Sequence, residues 1–70
     1  MIDEVYVLCL SYVDNFEVFG VYTDYLEAEK VKNDLIKYSI YDEAEQQYHI
    51  YCMNLNKYYN YKEFERCEVF

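Results

Sequence analysis

The run Val5 to Val13, reading VYVLCLSYV, constrains this chain more than any other segment. It is apolar or aromatic at odd and even positions alike, with Ser11 the one interruption. A half-buried strand alternates, and a surface helix shows one stripe. A run that is apolar on both parities reads as a central strand covered on both faces. Asp14-Asn15 supplies turn chemistry, and Phe16 to Tyr22 (FEVFGVY) follows as a second strand. Two turn residues between two such runs predict an antiparallel hairpin. Gly20, the only glycine, lies inside the second strand, where it marks a bulge or a close backbone approach.

The next segment changes period. Ala28, Val31, Leu35 and Tyr38 recur at i, i+3, i+7 and i+10, one stripe of an amphipathic helix over 24–38. Leu26 and Ile36 widen the stripe. Glu27, Lys30, Asp34 and Lys37 occupy the opposite face. Asp24 followed by Glu27 has capping-box spacing. Residues 39–45 read as a polar, acidic connection. Gln46 to Leu55 (QQYHIYCMNL) reads as a third strand, stopped by Asn54 and Asn56. Residues 57–70 have two readings. Asn60 with Glu63 would cap a short helix carrying Tyr61 and Phe64. Alternation of Lys62, Phe64, Arg66, Glu68 and Phe70 favours a strand. The chain is thus expected to form a single α+β domain over 1–70, a small antiparallel sheet with one helix packed on one face, ββαβ with a fourth strand if the last segment extends.

Seventy residues bury only roughly 60% of the surface their unfolded chain exposes, which leaves little material for a deep cleft. The catalytic signatures are correspondingly thin. One glycine cannot build a phosphate-cradling loop. His49 and Cys52 are an odd number apart on a strand, hence on opposite faces, so no metal site is expected and Cys9 and Cys52 read as small core residues. Ser11, Thr23 and Ser39 lack a glycine-rich elbow, and a Cys67–His49 pair would depend on proximity in the fold. No catalytic residue, metal or cofactor is expected, and the reading is non-enzymatic. The odd cysteine count and the lack of a positive n-region at Met1-Ile2-Asp3-Glu4 point to a reducing cytoplasm.

Charge and tyrosine are the informative features. The formal net charge is −8, with no Lys or Arg before Lys30. Such a balance opposes direct binding of nucleic acid or anionic membrane and suits a partner with a basic surface. Eleven tyrosines cannot all be hidden in so small a domain, and exposed tyrosine is typical of binding faces. These two features nominate Tyr25, Tyr41, Tyr58, Tyr59 and Tyr61 with Asp42, Glu43, Glu45, Glu63 and Glu65 as partner-binding residues. On a strand, Glu63 and Glu65 would lie about 6.6 Å apart, near a phosphate spacing. That geometry brings nucleic-acid mimicry into the reading. The alternatives are a small-molecule sequestering protein, with stacked tyrosines holding a ring, and a self-assembling protein or homodimer joined through edge strands.

Val5-Tyr6-Val7-Leu8, then Phe16-Glu17-Val18-Phe19-Gly20-Val21-Tyr22, then Ala28-Glu29 resembles small uncharacterised proteins common in bacterial viruses, over about residues 4–40. The resemblance implies a ββαβ fold and a viral or mobile-element setting. In that setting a small acidic binding protein would inhibit a host protein, a defence protein among the candidates. It carries over no catalytic residue.

Overall fold

The computed structural model describes residues 3–11, 15–38 and 47–70. Strand β1 (Glu4–Ser11) is followed by β2 (Phe16–Tyr22), helix α1 (Tyr25–Lys37), β3 (Tyr48–Asn54) and a short helix α2 (Tyr61–Arg66). The sheet order is β2-β1-β3, antiparallel throughout. The run that is apolar on both parities is therefore the central strand, as expected. Leu8, Cys9 and Leu10 are all buried, although successive side chains point to opposite faces.

One face of the sheet meets α1. Leu8 and Leu10 of β1 pair with Ile50 and Tyr48 of β3 and form the core with Ala28. Tyr6, Tyr22, Tyr25, Val31, Leu35 and Ile36 close its margin. The helix stripe is thus as read up to Leu35, and Ile36 does join it. Tyr38 does not, being 77% exposed as the residue that caps the helix end, and Leu26 is also exposed. Asp24 is the N-cap, its carboxylate accepting from the Leu26 N–H at 3.1 Å. Glu27 in the first turn and Lys37 in the last complement the helix dipole.

Lys32 occupies a stripe position, one turn after Ala28, and is 4% exposed. Its ammonium lies 3.1 Å from the centroid of the Phe70 ring. A lysine stem can cover apolar surface while its head finds a polar or aromatic terminus. Phe70→Ala is expected to cost about 1–2 kcal/mol, because it removes the ring face and the cover together. Lys32→Met in the same background should recover most of that loss. Urea denaturation of the two variants measures both terms, and equal stability of Phe70→Ala and the parent would refute the contact.

The two strands pair antiparallel as expected, with Ser11 opposite Phe16; Asp14 of the expected turn lies outside the described residues. The register shifts between Leu8 and Cys9, a bulge at the level of Phe19 and Gly20. A Cβ on Gly20 would lie 2.5 Å from the Tyr22 hydroxyl oxygen. Glycine here leaves room for the Tyr22 ring to fold back across its own strand, so the bulge is as read, while the group that approaches Gly20 is a side chain and not backbone.

The strand reading of 57–70 is corrected. Asn60 caps α2: its Oδ1 accepts from the Glu63 N–H at 2.9 Å, and its Nδ2 donates to Glu63 Oε1 at 2.7 Å. This reciprocal pair satisfies helix-end groups locally, and it outweighs the weak alternation. Only beyond the helix does the chain turn strand-like. Cys52 N–H donates to Cys67 O, Val69 N–H donates to Ile50 O, both at 2.8 Å, and Tyr51 bridges Glu68. A single bridge, not a full fourth strand, covers the outer edge of β3. Asn56 ends the β3 segment in the left-handed region (φ 60°), a conformation asparagine tolerates. No helix among the described residues is long and apolar enough to cross a membrane.

Candidate functional site

The second face of the sheet is where the covering runs out. It carries the odd positions of β1, namely Val5, Val7, Cys9 and Ser11, with His49, Tyr51 and Met53 of β3 and Phe16, Val18 and Val21 of β2. Helix α2 covers only part of it. Phe64 stacks on Tyr51 with ring centroids 4.2 Å apart, and Phe16 meets Phe64 edge-on at 6.2 Å. Edge and offset ring packing of this kind favours a defined cluster over a loose one. Beside it, Phe16, Tyr51, Tyr61, Phe64 and Glu65 line a shallow recess of about 370 Å³. From the recess the apolar surface continues along β2, where Phe16, Val18 and Val21 are about half exposed.

The two sheet edges differ. Residues 67–69 pair with β3, whereas β2 has no partner on its outer edge among the described residues. Edge strands are ordinarily shielded by charge, proline or a covering segment. β2 holds a bulge and one charge, Glu17, and its exposed residues are otherwise apolar. Across all three strands the ionisable residues of fixed charge are Glu4 and Glu17, and none is Lys or Arg.

The nominated residues divide. Tyr61 and Glu65 do come together, at the recess, where the neighbouring Glu65 carboxylate raises the pKa of the Tyr61 hydroxyl. Tyr58 is 85% exposed and free to contact a partner. Tyr59 is committed elsewhere, its hydroxyl accepting from the Asn54 N–H at 2.9 Å. Tyr25 packs edge-on against Tyr6 at 5.7 Å, and the Glu29 carboxylate nearby raises the pKa of its hydroxyl. Both are better accounted for as structure than as contact residues. Glu63 is used by the α2 cap, and Lys57 lies 3.9 Å from its second oxygen. Tyr41, Asp42, Glu43 and Glu45 lie outside the described residues. Because Glu63 and Glu65 sit on a helix, they project about 200° apart around its axis and do not reproduce a phosphate spacing.

Phe16, Val18, Val21, Tyr51 and Phe64 were not nominated. A signal for them was present. Once one helix covers one face of a three-stranded sheet, the alternate positions of the edge strand must lie on the other face, and here those positions are apolar.

A polar line crosses the same face. The Ser11 hydroxyl lies 3.0 Å from His49 Nε2, and His49 Nδ1 meets the Glu68 carboxylate. Both ring nitrogens of His49 are thus engaged. Cys67 is no partner for it, since its thiol donates to Glu63 O at 3.2 Å. Cys52 is on the α1 face, where its thiol bonds Glu4 at 3.0 Å. Cys9, Cys52 and Cys67 are free thiols. No group of three or more metal-ligating side chains is assembled among the described residues. No protein-family model, no curated protein and no solved structure matches the chain.

Proposed function

We propose that this protein is a binding module that seats its half-covered sheet face on another protein. The observation that carries the reading is the continuous apolar strip of Phe16, Val18 and Val21, running into the aromatic recess at Tyr61 and Phe64. Large apolar surface on one edge of so small a domain is costly to leave wet and is commonly an interaction site. The net charge of −8 and the lack of cations in the sheet select a partner whose contact surface is basic around an apolar or aromatic tip. With the resemblance to small bacterial-virus proteins, the partner proposed is a protein of a bacterial host, inhibited in the cytoplasm.

Two glutamates on the strip test the reading. Val18→Glu/Val21→Glu should keep the fold, because both positions are exposed, and should abolish capture of a stoichiometric partner from nuclease-treated bacterial lysate. Parent capture should survive moderate salt, since the anchor is apolar. Equal capture by parent and variant would overturn the reading, as would a partner lost by the parent at moderate salt.

The open β2 edge favours a second reading, pairing with another copy about a two-fold axis. Like charges of −8 on each copy oppose it. Sedimentation velocity separates the two, because self-pairing makes the mass rise with concentration and disappears in the same double variant.

A further inference from the structure

The Ser11–His49–Glu68 line has a direction, and chemistry fixes it. An ionised carboxylate can only accept a hydrogen bond. The Glu68 carboxylate therefore requires the proton of neutral His49 on Nδ1, the nitrogen it contacts. That leaves Nε2 as a lone pair, and the group facing Nε2 at 3.0 Å is the Ser11 hydroxyl. The hydroxyl must then be the donor. Its other neighbour, Gln47 O, is farther, at 3.4 Å, and is the weaker acceptor position. A serine donating to an imidazole whose far nitrogen is held by a carboxylate is the arrangement that activates a serine nucleophile, and it is recognised by roles and geometry, not by chain order.

The surroundings define what such a serine would meet. Ser11 is directly opposite Phe16 in the β1–β2 register, and Phe16 forms one wall of the apolar recess. The His49 ring centroid is 6.3 Å from that of Tyr51, the next residue along β3 on the same face and another wall. Glu68 is brought into place by the bridge between residue 68 and Tyr51 and by the pairing of Val69 with Ile50. The line is only partly shielded, with the side chains of His49 and Glu68 25% and 37% exposed, so a small reagent can reach it. Net negative charge and the Glu65 carboxylate on the recess disfavour anionic reagents.

We infer that Ser11 is an activated nucleophile, with His49 as its general base and Glu68 as the positioning residue that sets the tautomer, and that it accepts the acyl group of neutral or cationic aryl esters seated in the recess at Phe16 and Tyr51. In the first step Ser11 Oγ bonds to the ester carbonyl carbon while its proton passes to His49 Nε2. The ester C–O bond then breaks, and the same proton passes from His49 Nε2 to the departing aryloxide, which leaves as a phenol. Water reverses the sequence, giving its proton to Nε2, releasing the carboxylic acid and restoring the serine hydroxyl. Each oxyanion donor is worth about 10²–10³ in rate, so the first covalent step, not turnover, is the sensitive readout for a triad on an open face.

The test uses the full chain and an uncharged fluorophosphonate ester. Attack forms a Ser Oγ–P bond and expels fluoride, with the serine proton lost to His49. Intact mass gives the stoichiometry, and peptide mapping gives the position. Native protein is expected to take one label, at Ser11, about a hundredfold faster than the urea-unfolded chain, the gain expected of a positioned general base. His49→Asn should fall to the unfolded rate, and Glu68→Gln should slow labelling at least tenfold. A far-UV spectrum and urea midpoint for each variant separate lost chemistry from lost fold. Labelling of Ser11 no faster in the native than in the unfolded chain would overturn the inference. So would unchanged labelling in a folded His49→Asn variant. Labelling confined to tyrosine or lysine would do the same. None of these outcomes bears on partner capture, because Val18 and Val21 are outside the line.

Discussion

Ile50→Ala is expected to abolish the cooperative unfolding transition, leaving the chain largely unfolded at 25 °C. Ile50 has no exposed surface, pairs across the sheet with the equally buried Leu8, and lies in the core under α1 with Ala28 and Tyr48. Truncating a fully buried isoleucine costs about 2–5 kcal/mol, as lost transfer energy and as the cavity left behind. A domain of this size has a net stability of only about 3–5 kcal/mol. The loss is therefore comparable with the whole. The effect is also transmitted, because the Ile50 carbonyl accepts from Val69 and so helps to hold the segment that covers β3. Urea titration followed by far-UV circular dichroism measures it. Val18→Ala is the control; it lies more than half exposed on β2 and should change the unfolding free energy by no more than about 0.5 kcal/mol. An Ile50→Ala variant that unfolds within that same margin would show that the core lies elsewhere.

The core was legible in the sequence because its signals are redundant. The parity of Val5 to Val13 placed β1 at the centre, and a 3.6-residue stripe placed α1 on one face. Both depend on several residues agreeing. The segment after Lys57 was misread because its two signals are each about one interaction strong. Alternation over five residues competed with one Asn60–Glu63 cap, and the cap wins by satisfying helix-end groups within three residues of chain. The error then propagated to Glu63 and Glu65, whose proposed spacing existed only on a strand.

For the nominated tyrosines the structure bears on exposure, and Tyr58 and Tyr61 are exposed. Tyr25 and Tyr59 show why composition stops short. A tyrosine can be taken up by a ring or a backbone N–H of the same chain, and only the fold reveals which. The Ser11–His49–Glu68 line was beyond sequence reasoning for a different reason. Its members are 38 and 19 residues apart, and their meeting depends on the β1–β3 register and on how 67–69 return along β3. No short motif encodes that.

The same covering that buries Cys9 makes the fold sensitive to alkali. Burial pushes the Cys9 thiol up from an ordinary 9.0 to about 11. Below pH 9 the thiol is protonated in folded and unfolded chains alike, so it contributes no pH dependence. Between pH 9 and 11 the unfolded chain loses this proton while the folded chain keeps it. The unfolded state then binds fewer protons, and stability falls as pH rises, by about 1.4 kcal/mol for each unit. Above pH 11 both states ionise and the decline from this group ends. The total is about 2–3 kcal/mol, again most of what a domain of this size has. Tyr51 acts in the same direction, its hydroxyl pKa raised by burial and then by the nearby Glu68 carboxylate. Growing negative charge also weakens any acidic fold at high pH, so the comparison must be made against Cys9→Val, which keeps the apolar volume and removes the thiol. The parent urea midpoint should hold from pH 7 to 8.5 and drop steeply between 9 and 11, while that of Cys9→Val declines only gradually. Parallel curves for the two proteins would mean that Cys9 meets solvent in the folded state, and that the second face of the sheet is more open than the ring cluster of Phe16, Tyr51 and Phe64 makes it.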